Sequence, residues 1–337
     1  MSISAKELAE KLNLSPATVS MVLNNKPGIS EKTRKIVMDT AADYGYQSSK
    51  KQLQNNVNRI IQFVIYKKYG TVVSDTPFFS QVTEGINYQC SQNDYHLQIT
   101  YLYDNEDIGE QIENLKRADC DGILLLGTEM TAKDYRSFQN LNIPFVILDS
   151  YFDDINCDTV LINNVQGAYL ATEYLNSRGH KEIGYLRSGT RICNFEERED
   201  GYYKSLRHNN IPTSHPYVVN ITPTTEQAYL DICEYLKNNP VFPTAFFADN
   251  DIIAAAAIRA FKESNIKVPE QISIIGFDDM PICQFTDPTL STMYVPKQRL
   301  GALAVDRLLN RINEANTDII KIELAVQLVE RNSVKSI

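Results

Sequence analysis

The sequence lacks the features that would indicate a membrane or secreted protein. It contains no apolar window of about 18 residues, the length that a helix needs to span a bilayer. Residues 1–7 show no basic stretch followed by an apolar run, so we expect no signal peptide, no membrane partner and a cytoplasmic location. The six cysteines form no C-x-x-C pair and none lies near a histidine in a metal-like pattern. They are interpreted as small core residues of a reduced protein, and no cofactor is expected.

The patterns of common catalytic sites are also missing. The sequence shows no nucleophile–base pattern, no metal-ligand spacing and no phosphate-binding loop. Asp278 and Asp279 are adjacent carboxylates that an enzyme could use as acid and base, but neighbours on one turn rarely converge on one substrate. We therefore predict a binding protein rather than an enzyme. Detection of a product formed from a bound sugar would favour the alternative that the protein is an enzyme.

Positive charge is scarce overall but concentrated near the N-terminus. The chain of 337 residues has a net charge of −9, whereas residues 1–58 hold 8 Lys and Arg against 5 Asp and Glu. A basic segment can neutralise phosphates and release counterions, while the acidic remainder argues against a second nucleic-acid surface. This length predicts two or three domains.

Residues 1–46 have the pattern of three short helices. A helix over 5–12 is followed by a tight turn and a second helix, for which Ser15 is the predicted N-cap and Pro16 the first residue. Ser30 can cap a third helix that runs to about residue 44. Apolar residues at helical spacing give the first two helices a common seam: Leu8, Leu12, Val19, Val22 and Leu23. This arrangement is typical of a helix-turn-helix, whose second helix enters the DNA major groove.

After a polar linker, short apolar runs alternate with amphipathic helices. The predicted strands lie at 60–66, 97–102, 122–126, 145–149, 183–186, 245–248 and 272–277. The predicted helices lie at 79–93, 106–116, 164–178, 194–208, 225–237, 252–263 and 297–313. The alternation predicts parallel sheets with helices on both faces, and the strands are too many for one sheet. We therefore predict a small all-α domain followed by two doubly wound α/β lobes, with a ligand cleft beyond the carboxyl ends of their strands.

Polar and aromatic side chains follow several predicted strands. A polyhydroxy ligand needs amide, guanidinium and carboxylate groups for its hydroxyls and an aromatic face for its C–H surface. The candidates at strand ends and in the helices that follow them are Asp75, Phe78, Phe79, Asp149, Arg198, Asp249, Asn250, Asp251, Asp278 and Asp279. As alternatives, Asp249, Asp251 and Asp279 are interpreted as caps or turn residues, and Phe78 and Phe79 as staple or core residues. His180 follows a helix-ending glycine and is interpreted as structural.

Residues 14–24, 26–34 and 44–46 resemble the headpiece of LacI/GalR-family transcriptional regulators. The region from about 59 to 330 is similar to the type I periplasmic sugar-binding fold that follows such headpieces.

The resemblance also implies boundaries. They are a helix-turn-helix domain over 1–46, a linker or hinge over 47–58, and an effector-binding and dimerisation domain over 59–337. Because the chain of that fold crosses between lobes three times, lobe one would comprise about 59–162 plus 293–322, and lobe two about 163–290 plus 323–337.

Roles in DNA binding follow from the same resemblance. The implied DNA-binding residues are Ser15, Pro16, Ala17, Thr18, Met21, Asn24, Ser30, Thr33 and Tyr46. Most relatives carry Arg at the position of Met21, where it can pair with guanine, whereas Met21 offers only apolar contact. The operator should therefore depart from the family consensus at that base, unless Met21 packs against the third helix instead. Ser48, Ser49 and Asn55 replace residues typical of a hinge helix, which makes kinking of the operator doubtful.

The implied effector-binding residues are Asp75, Phe78, Phe79, Asp149, Arg198, Asn250 and Asp278. We therefore predict a homodimeric repressor that binds double-stranded operator DNA and is controlled by a small-molecule effector, a sugar or sugar derivative, between its lobes. One alternative is a regulator of the same fold controlled by a protein corepressor, with a vestigial pocket. Another is a transport-type sugar receptor, against which residues 1–46 argue.

Overall fold

The computed structural model describes residues 5–23, 29–44, 59–75, 77–213, 217–313 and 318–337. Contacts divide the chain into two units, Met1–Asn58 and Arg59–Ile337. The sequence-based assignments at Asn24, at Tyr46 and in the linker over 47–58 lie outside the described residues.

The N-terminal unit contains the three helices that the sequence predicts. They are α1 (Ala5–Lys11), α2 (Pro16–Leu23) and α3 (Glu31–Asp43). Ser15 Oγ accepts a hydrogen bond from the Thr18 amide at 3.0 Å, and Ser30 Oγ accepts one from the Thr33 amide at 3.2 Å, so both predicted caps are confirmed. Asn13 has a φ of 52°, a left-handed turn conformation that asparagine tolerates.

The predicted apolar seam forms the centre of this unit. The buried residues are Leu8, Ala9, Val19, Val22, Val37 and Ala41. Leu12 and Leu23 are partly buried against them. Since Val37 and Ala41 belong to α3, the third helix completes a core that the first two helices begin.

A six-stranded parallel sheet forms the first lobe of the second unit. Its strands are β1 (Ile60–Lys67), β2 (His96–Tyr103), β3 (Gly122–Leu126), β4 (Phe145–Leu148), β5 (Thr159–Ile162) and β11 (Lys321–Leu324), in the order β11-β5-β4-β3-β1-β2. Its helices are α4 (Val72–Asp75), α5 (Phe78–Gln92), α6 (Ile108–Lys116), α7 (Ala132–Arg136) and α12 (Lys297–Asn313). Alternate strand residues pack against α5 and α12 on one face and against α6 and α7 on the other. Buried runs such as that of β3 therefore have no polar side.

A four-stranded parallel sheet forms the second lobe. Its strands are β6 (Ile183–Ser188), β7 (Val218–Ile221), β8 (Ala245–Ala248) and β9 (Ser273–Ile275), in the order β7-β6-β8-β9. Its helices are α8 (Asn164–Ser177), α9 (Cys193–His208), α10 (Thr225–Lys237), α11 (Asp251–Glu263) and a 3-10 helix (Pro281–Gln284). Strands β10 (Thr292–Tyr294) and β12 (Gln327–Val329) form an antiparallel pair. The predicted fold class, two parallel α/β lobes after a small helical domain, is confirmed.

The chain passes between the lobes at three connections, which join β5 to α8, β10 to α12 and β11 to β12. The sequence placed the last change of lobe after residue 322. This position is wrong by two residues, because β11 stays in register with β5 as far as Leu324. Among the described residues, no helix is both long and apolar enough to cross a membrane.

Two glycines bring α5 and α12 unusually close together. A Cβ at Gly85 would lie 2.0 Å from the Gln298 carbonyl oxygen, and a Cβ at Gly301 would lie 2.3 Å from the Val82 carbonyl oxygen. Only glycine permits this approach of two backbones. The contact fixes the start of α5, which carries Phe78, relative to the start of α12, which carries Lys297.

Candidate functional site

A small cleft between the two lobes contains six of the seven candidate effector residues. The first lobe contributes Val72, Phe78, Phe79, Thr128, Asp149 and Ile162. The second lobe contributes Ile192, Asn194, Phe195, Arg198, Asn250 and Asp278. The cavity measures about 30 Å³, which is room for water but not for a sugar. The cleft is therefore closed, and a ligand can enter only when the lobes separate.

Asp149 lies directly after β4, has a φ of 64° and is 1% exposed. Thr128 Oγ1 donates a hydrogen bond to its Oδ2 at 2.7 Å, whereas its Oδ1 has no partner in the described part of the chain. Burial raises the pKa of Asp149 to about 6, although the Thr128 hydrogen bond, the Arg198 charge and the nearby Asn194 side chain act to lower it. An unpartnered buried oxygen is costly, and a ligand hydroxyl could satisfy it.

Arg198 is a buried cation on α9 that connects three segments of the second lobe. Its Nε donates to Asn164 Oδ1 at 2.9 Å, its Nη1 to the Asp249 carbonyl at 2.5 Å and its Nη2 to Asp278 Oδ1 at 3.2 Å. The guanidinium also lies 3.8 Å from the ring centroid of Phe277. Because a guanidinium carries five N–H donors, these three bonds leave donors for a ligand.

Asp278 is held in a conformation that few non-glycine residues adopt, with a φ of 110°. Its amide donates to the Met293 carbonyl at 2.9 Å, and its own carbonyl accepts from Lys297 Nζ at 2.5 Å. Burial raises the pKa of Asp278, while the charges of Arg198 and Lys297 lower it. Backbone strain that the surroundings enforce in this way is typical of binding sites.

Asn250 and the two phenylalanines complete the predicted set. Asn250 caps α11, since its Oδ1 accepts from the Ile253 amide at 2.9 Å, and no described residue accepts a hydrogen bond from its Nδ2. Phe78 and Phe79 make an edge-to-face pair with centroids 5.1 Å apart. Both rings line the cleft and also pack in the core of the lobe. The two alternatives from the sequence, pocket residue and core residue, therefore apply together.

The sequence interprets Asp249 and Asp251 as cap or turn residues, but neither caps α11, whose N-cap is Asn250, and both buried carboxylates bind other segments of the second lobe. Asp249 accepts from the Tyr185 hydroxyl and from the Ser188 amide. Asp251 accepts from Thr292 Oγ1 at 2.6 Å and from the Met280 amide at 2.7 Å. Burial raises the pKa of each to about 7.

The remaining assignments concern residues away from the cleft. Asp279 has a φ of 52° and forms an ion pair with Arg331 at 2.7 Å, which fits a turn residue. His180 is buried between Thr244 Oγ1 and the Lys335 carbonyl, which fits a structural role. Asp75 ends α4, and its side chain lies outside the described residues.

Sequence reasoning missed Lys297 and the apolar rim of the cleft. Lys297 is 2% exposed and donates to the carbonyls of Asp278, Asp279 and Val295. Val72 of the first lobe packs against Ile192 and Phe195 of the second. Isolated apolar residues in loops give no periodic signal in the sequence. Lys297 does give a signal, because it is a charged residue at the start of a predicted helix, directly after Pro296.

The candidate nucleic-acid interface is the start of α2. Ser15, Pro16 and Ala17 are exposed there, and Thr18 Oγ1 lies 2.8 Å from Ser15 Oγ. Ser30 is exposed and Thr33 is half-buried at the start of α3. Met21 is half-buried, which leaves base contact and packing both open.

Comparison with known proteins identifies the family. The family model described as "Bacterial regulatory proteins, lacI family" matches residues 4–49, and the model of a "Periplasmic binding protein-like domain" matches residues 172–334. The HTH-type transcriptional repressor PurR of Pasteurella multocida is 31% identical over 335 residues, which cover 98% of both chains. The chain belongs to the lacI family.

This lacI-family chain has further relatives. It is 31% identical over 336 residues to the ribose operon repressor of Haemophilus influenzae, again over 98% of both chains. A solved lac repressor dimer bound to operator and the anti-inducer ONPF shares its fold, with a TM-score of 0.73, 23% identity and complete coverage of both chains. The family consists of transcriptional regulators, which are not enzymes.

The buried carboxylate of Asp149, whose Oδ1 has no partner among the described residues, makes the free energy of unfolding depend on pH. Its pKa is higher in the folded than in the unfolded chain, so its contribution to stability is complete below about pH 4 and is lost as the pH rises through about 6. We expect Asp149→Asn to leave the free energy of unfolding unchanged near pH 4 and to raise it by about 1–3 kcal/mol at pH 8. Urea unfolding at both pH values measures this difference. The exposed Asp153→Asn serves as control and should change neither value.

Proposed function

We propose that this chain is a transcriptional repressor that binds operator DNA as a homodimer and whose operator affinity is set by a small carbohydrate in the interlobe cleft. The helix-turn-helix domain of the proposal spans 1–46 and the effector domain 59–337. The observation that carries the proposal is the buried, unpartnered Oδ1 of Asp149 in a cleft that also offers donors of Arg198.

The polar groups of the cleft favour an unphosphorylated sugar. The carboxylates of Asp149 and Asp278 accept hydrogen bonds from hydroxyls, while Arg198 and Asn250 donate to them. The two phenylalanine rings offer an apolar face to a sugar ring. Two buried carboxylates against one cation that is already paired disfavour a phosphate group. D-ribose is the first candidate, since a relative of 31% identity is a ribose operon repressor.

Control of DNA binding requires that the ligand distinguish two arrangements of the lobes. The closed cleft of about 30 Å³ excludes any sugar, so ligand binding must alter the separation of the lobes. A ligand shifts such an equilibrium only by its differential affinity for the two states. The alternative of a protein corepressor receives no support from the relatives.

The homodimer is proposed from an exposed apolar groove of about 480 Å³ on the second lobe. Ile252, Ala255 and Ala256 of α11 line it, and Phe285 beside it is 84% exposed. A large exposed apolar patch on a water-facing surface indicates an interaction site. We assign a second copy of the chain as its occupant, since the lac repressor with the same fold is a dimer.

The first test adds D-ribose to the full-length protein in a thermal unfolding assay and an operator-binding assay. A ligand at about 100 times its Kd adds about 2.7 kcal/mol of stability, so a bound sugar gives a clear rise in Tm. Arg198→Lys keeps the charge but loses the planar fork, and we expect affinity to fall at least tenfold with operator binding retained. The matched control is Arg187→Lys, which makes the same change at the Arg187–Glu199 ion pair outside the cleft and should keep the response. If neither D-ribose, other sugars nor ribose 5-phosphate shifts the Tm, the effector assignment is wrong.

The second test changes the candidate base-reading residue. Met21→Arg supplies a guanidinium that can pair with guanine, worth about 1–3 kcal/mol of discrimination. We expect a new base preference at one symmetric operator position, measured by binding to a library of operator variants. Met38→Arg adds the same charge to the exposed face of α3 and should strengthen binding uniformly. A uniform change for Met21→Arg as well would contradict base reading.

The third test concerns the dimer. Phe285→Asp places a charge on an exposed aromatic residue that lines the groove, so we expect at least a tenfold weaker dimer in sedimentation equilibrium. Val241→Asp is the matched control, since Val241 is 76% exposed but does not line the groove. Equal effects of both substitutions, or none of either, would refute this face as the interface.

A further inference from the structure

One buried carboxylate of the first lobe, which does not line the cleft, accepts hydrogen bonds from five backbone amides. Glu129 lies three residues after β3 and is 1% exposed. Its Oε2 accepts from the amides of Lys68, Tyr69 and Gly70 at 2.9, 2.8 and 2.9 Å, and its Oε1 from those of Val72 and Val73 at 3.0 and 3.2 Å. Successive amides that point into one concavity form an anion-binding nest. In this protein the anion is a side chain of another loop.

The amides that Glu129 binds belong to the connection between β1 and α4 and to the first two residues of α4. Residues 68–71 have no helix or strand partners for their backbone, so the carboxylate is what fixes the path of this connection. The ion pair of Lys68 with Asp134 at 2.7 Å ties the same loop to α7, but its lysine is partly exposed.

The first residue of α4, which directly follows this connection, forms one side of an apolar contact between the lobes. Val72 is 6% exposed and packs against Ile192 and Phe195, which belong to the second lobe. Val72, Ile192 and Phe195 all line the cleft of about 30 Å³, so widening the cleft for a ligand changes this apolar contact. Whatever fixes Val72 therefore influences the balance between closed and open lobes.

We propose that Glu129 is the positioning residue for closure of the cleft, because its carboxylate holds residues 68–73 where Val72 meets Ile192 and Phe195. The proposal rests on the proposed function only in calling this cleft the effector site. Closure of the cleft is measured without effector, so the role of Glu129 and the identity of the effector can each fail without the other.

The chain contains no tryptophan, so Phe195→Trp in the full-length protein provides a single reporter of the contact. In this background, Glu129→Gln keeps the size of the side chain but turns one oxygen into a donor that opposes the loop amides. We expect a red shift of tryptophan emission and at least twofold faster quenching by acrylamide. Amide hydrogen exchange at the five bound amides should accelerate at least tenfold, with β3 unchanged. Glu106→Gln, an exposed glutamate of the same lobe, serves as control and should alter nothing.

Two further variants separate positioning from a local structural role. Glu129→Ala should open the contact, and added acetate or formate should restore emission and amide protection by filling the nest with a carboxylate. Val72→Ser should open the contact while the four other bound amides stay protected, since the nest is intact. A merely local role for Glu129 would accelerate exchange in the Glu129→Gln protein without moving the tryptophan signal, and that result would overturn the proposal.

The unsubstituted protein gives an independent measurement if the glutamate variants do not fold. Five amides that depend on one carboxylate should exchange together, with a common opening rate. Independent rates at Lys68, Gly70 and Val73 would contradict the proposal. Absence of any D-ribose effect on the Tm of the unsubstituted protein would count against the proposed effector, but not against closure by Glu129.

Discussion

The cleft depends on the buried guanidinium of Arg198. A cation taken out of water is tolerated only when several acceptors and a second charge compensate for its lost hydration. Here those partners are the side chain of Asn164, the carbonyl of Asp249 and the carboxylate of Asp278, with the Phe277 ring against the guanidinium plane. They come from the start of α8, the end of β8 and the segment after β9. These bonds of Arg198 thus fix the second-lobe wall of the cleft, including the Arg198–Asp278 ion pair that lines it.

Binding capacity is obtained here at the expense of stability. The pKa of Asp149 is raised to about 6 and those of Asp249 and Asp251 to about 7, so near neutral pH the folded protein holds charges that burial disfavours. The carboxylate of Asp249 accepts hydrogen bonds from two residues of β6 and that of Asp251 from Met280 and Thr292, whereas Asp149 keeps one oxygen without a partner among the described residues. Only Asp149 can regain lost hydrogen bonding from a ligand. Destabilising groups that function requires are a common reason why binding sites are not optimised for stability.

The sequence predicts features whose signal is local, and misses those that depend on distant partners. Caps at Ser15 and Ser30 are recognisable because a side chain bonds an amide three residues away. Arg198 and Asp278 are predicted both from their positions after predicted strands and from the family resemblance. By contrast, β5 and β11 have four residues each, and β11 pairs with β5 across nearly half of the chain. Glu129 and Lys297 are ordinary charged residues in the sequence, and their roles appear only when the fold brings backbone groups around them.

Lys297 shows how the cleft and the arrangement of the lobes are physically connected. It is the first residue of α12, whose packing on α5 belongs to the first lobe, yet its ammonium binds the carbonyls of Asp278 and Asp279 in the second lobe. Asp278 in turn has a strained φ of 110° that this contact and the Met293 carbonyl enforce. A rotation of the lobes therefore acts on the backbone of a residue that pairs with Arg198. A ligand that binds the Asp278 carboxylate more strongly in one arrangement of the lobes shifts the equilibrium towards that arrangement. A ligand that contacts only the phenylalanine rings of the first lobe has no such difference in affinity and does not shift the equilibrium.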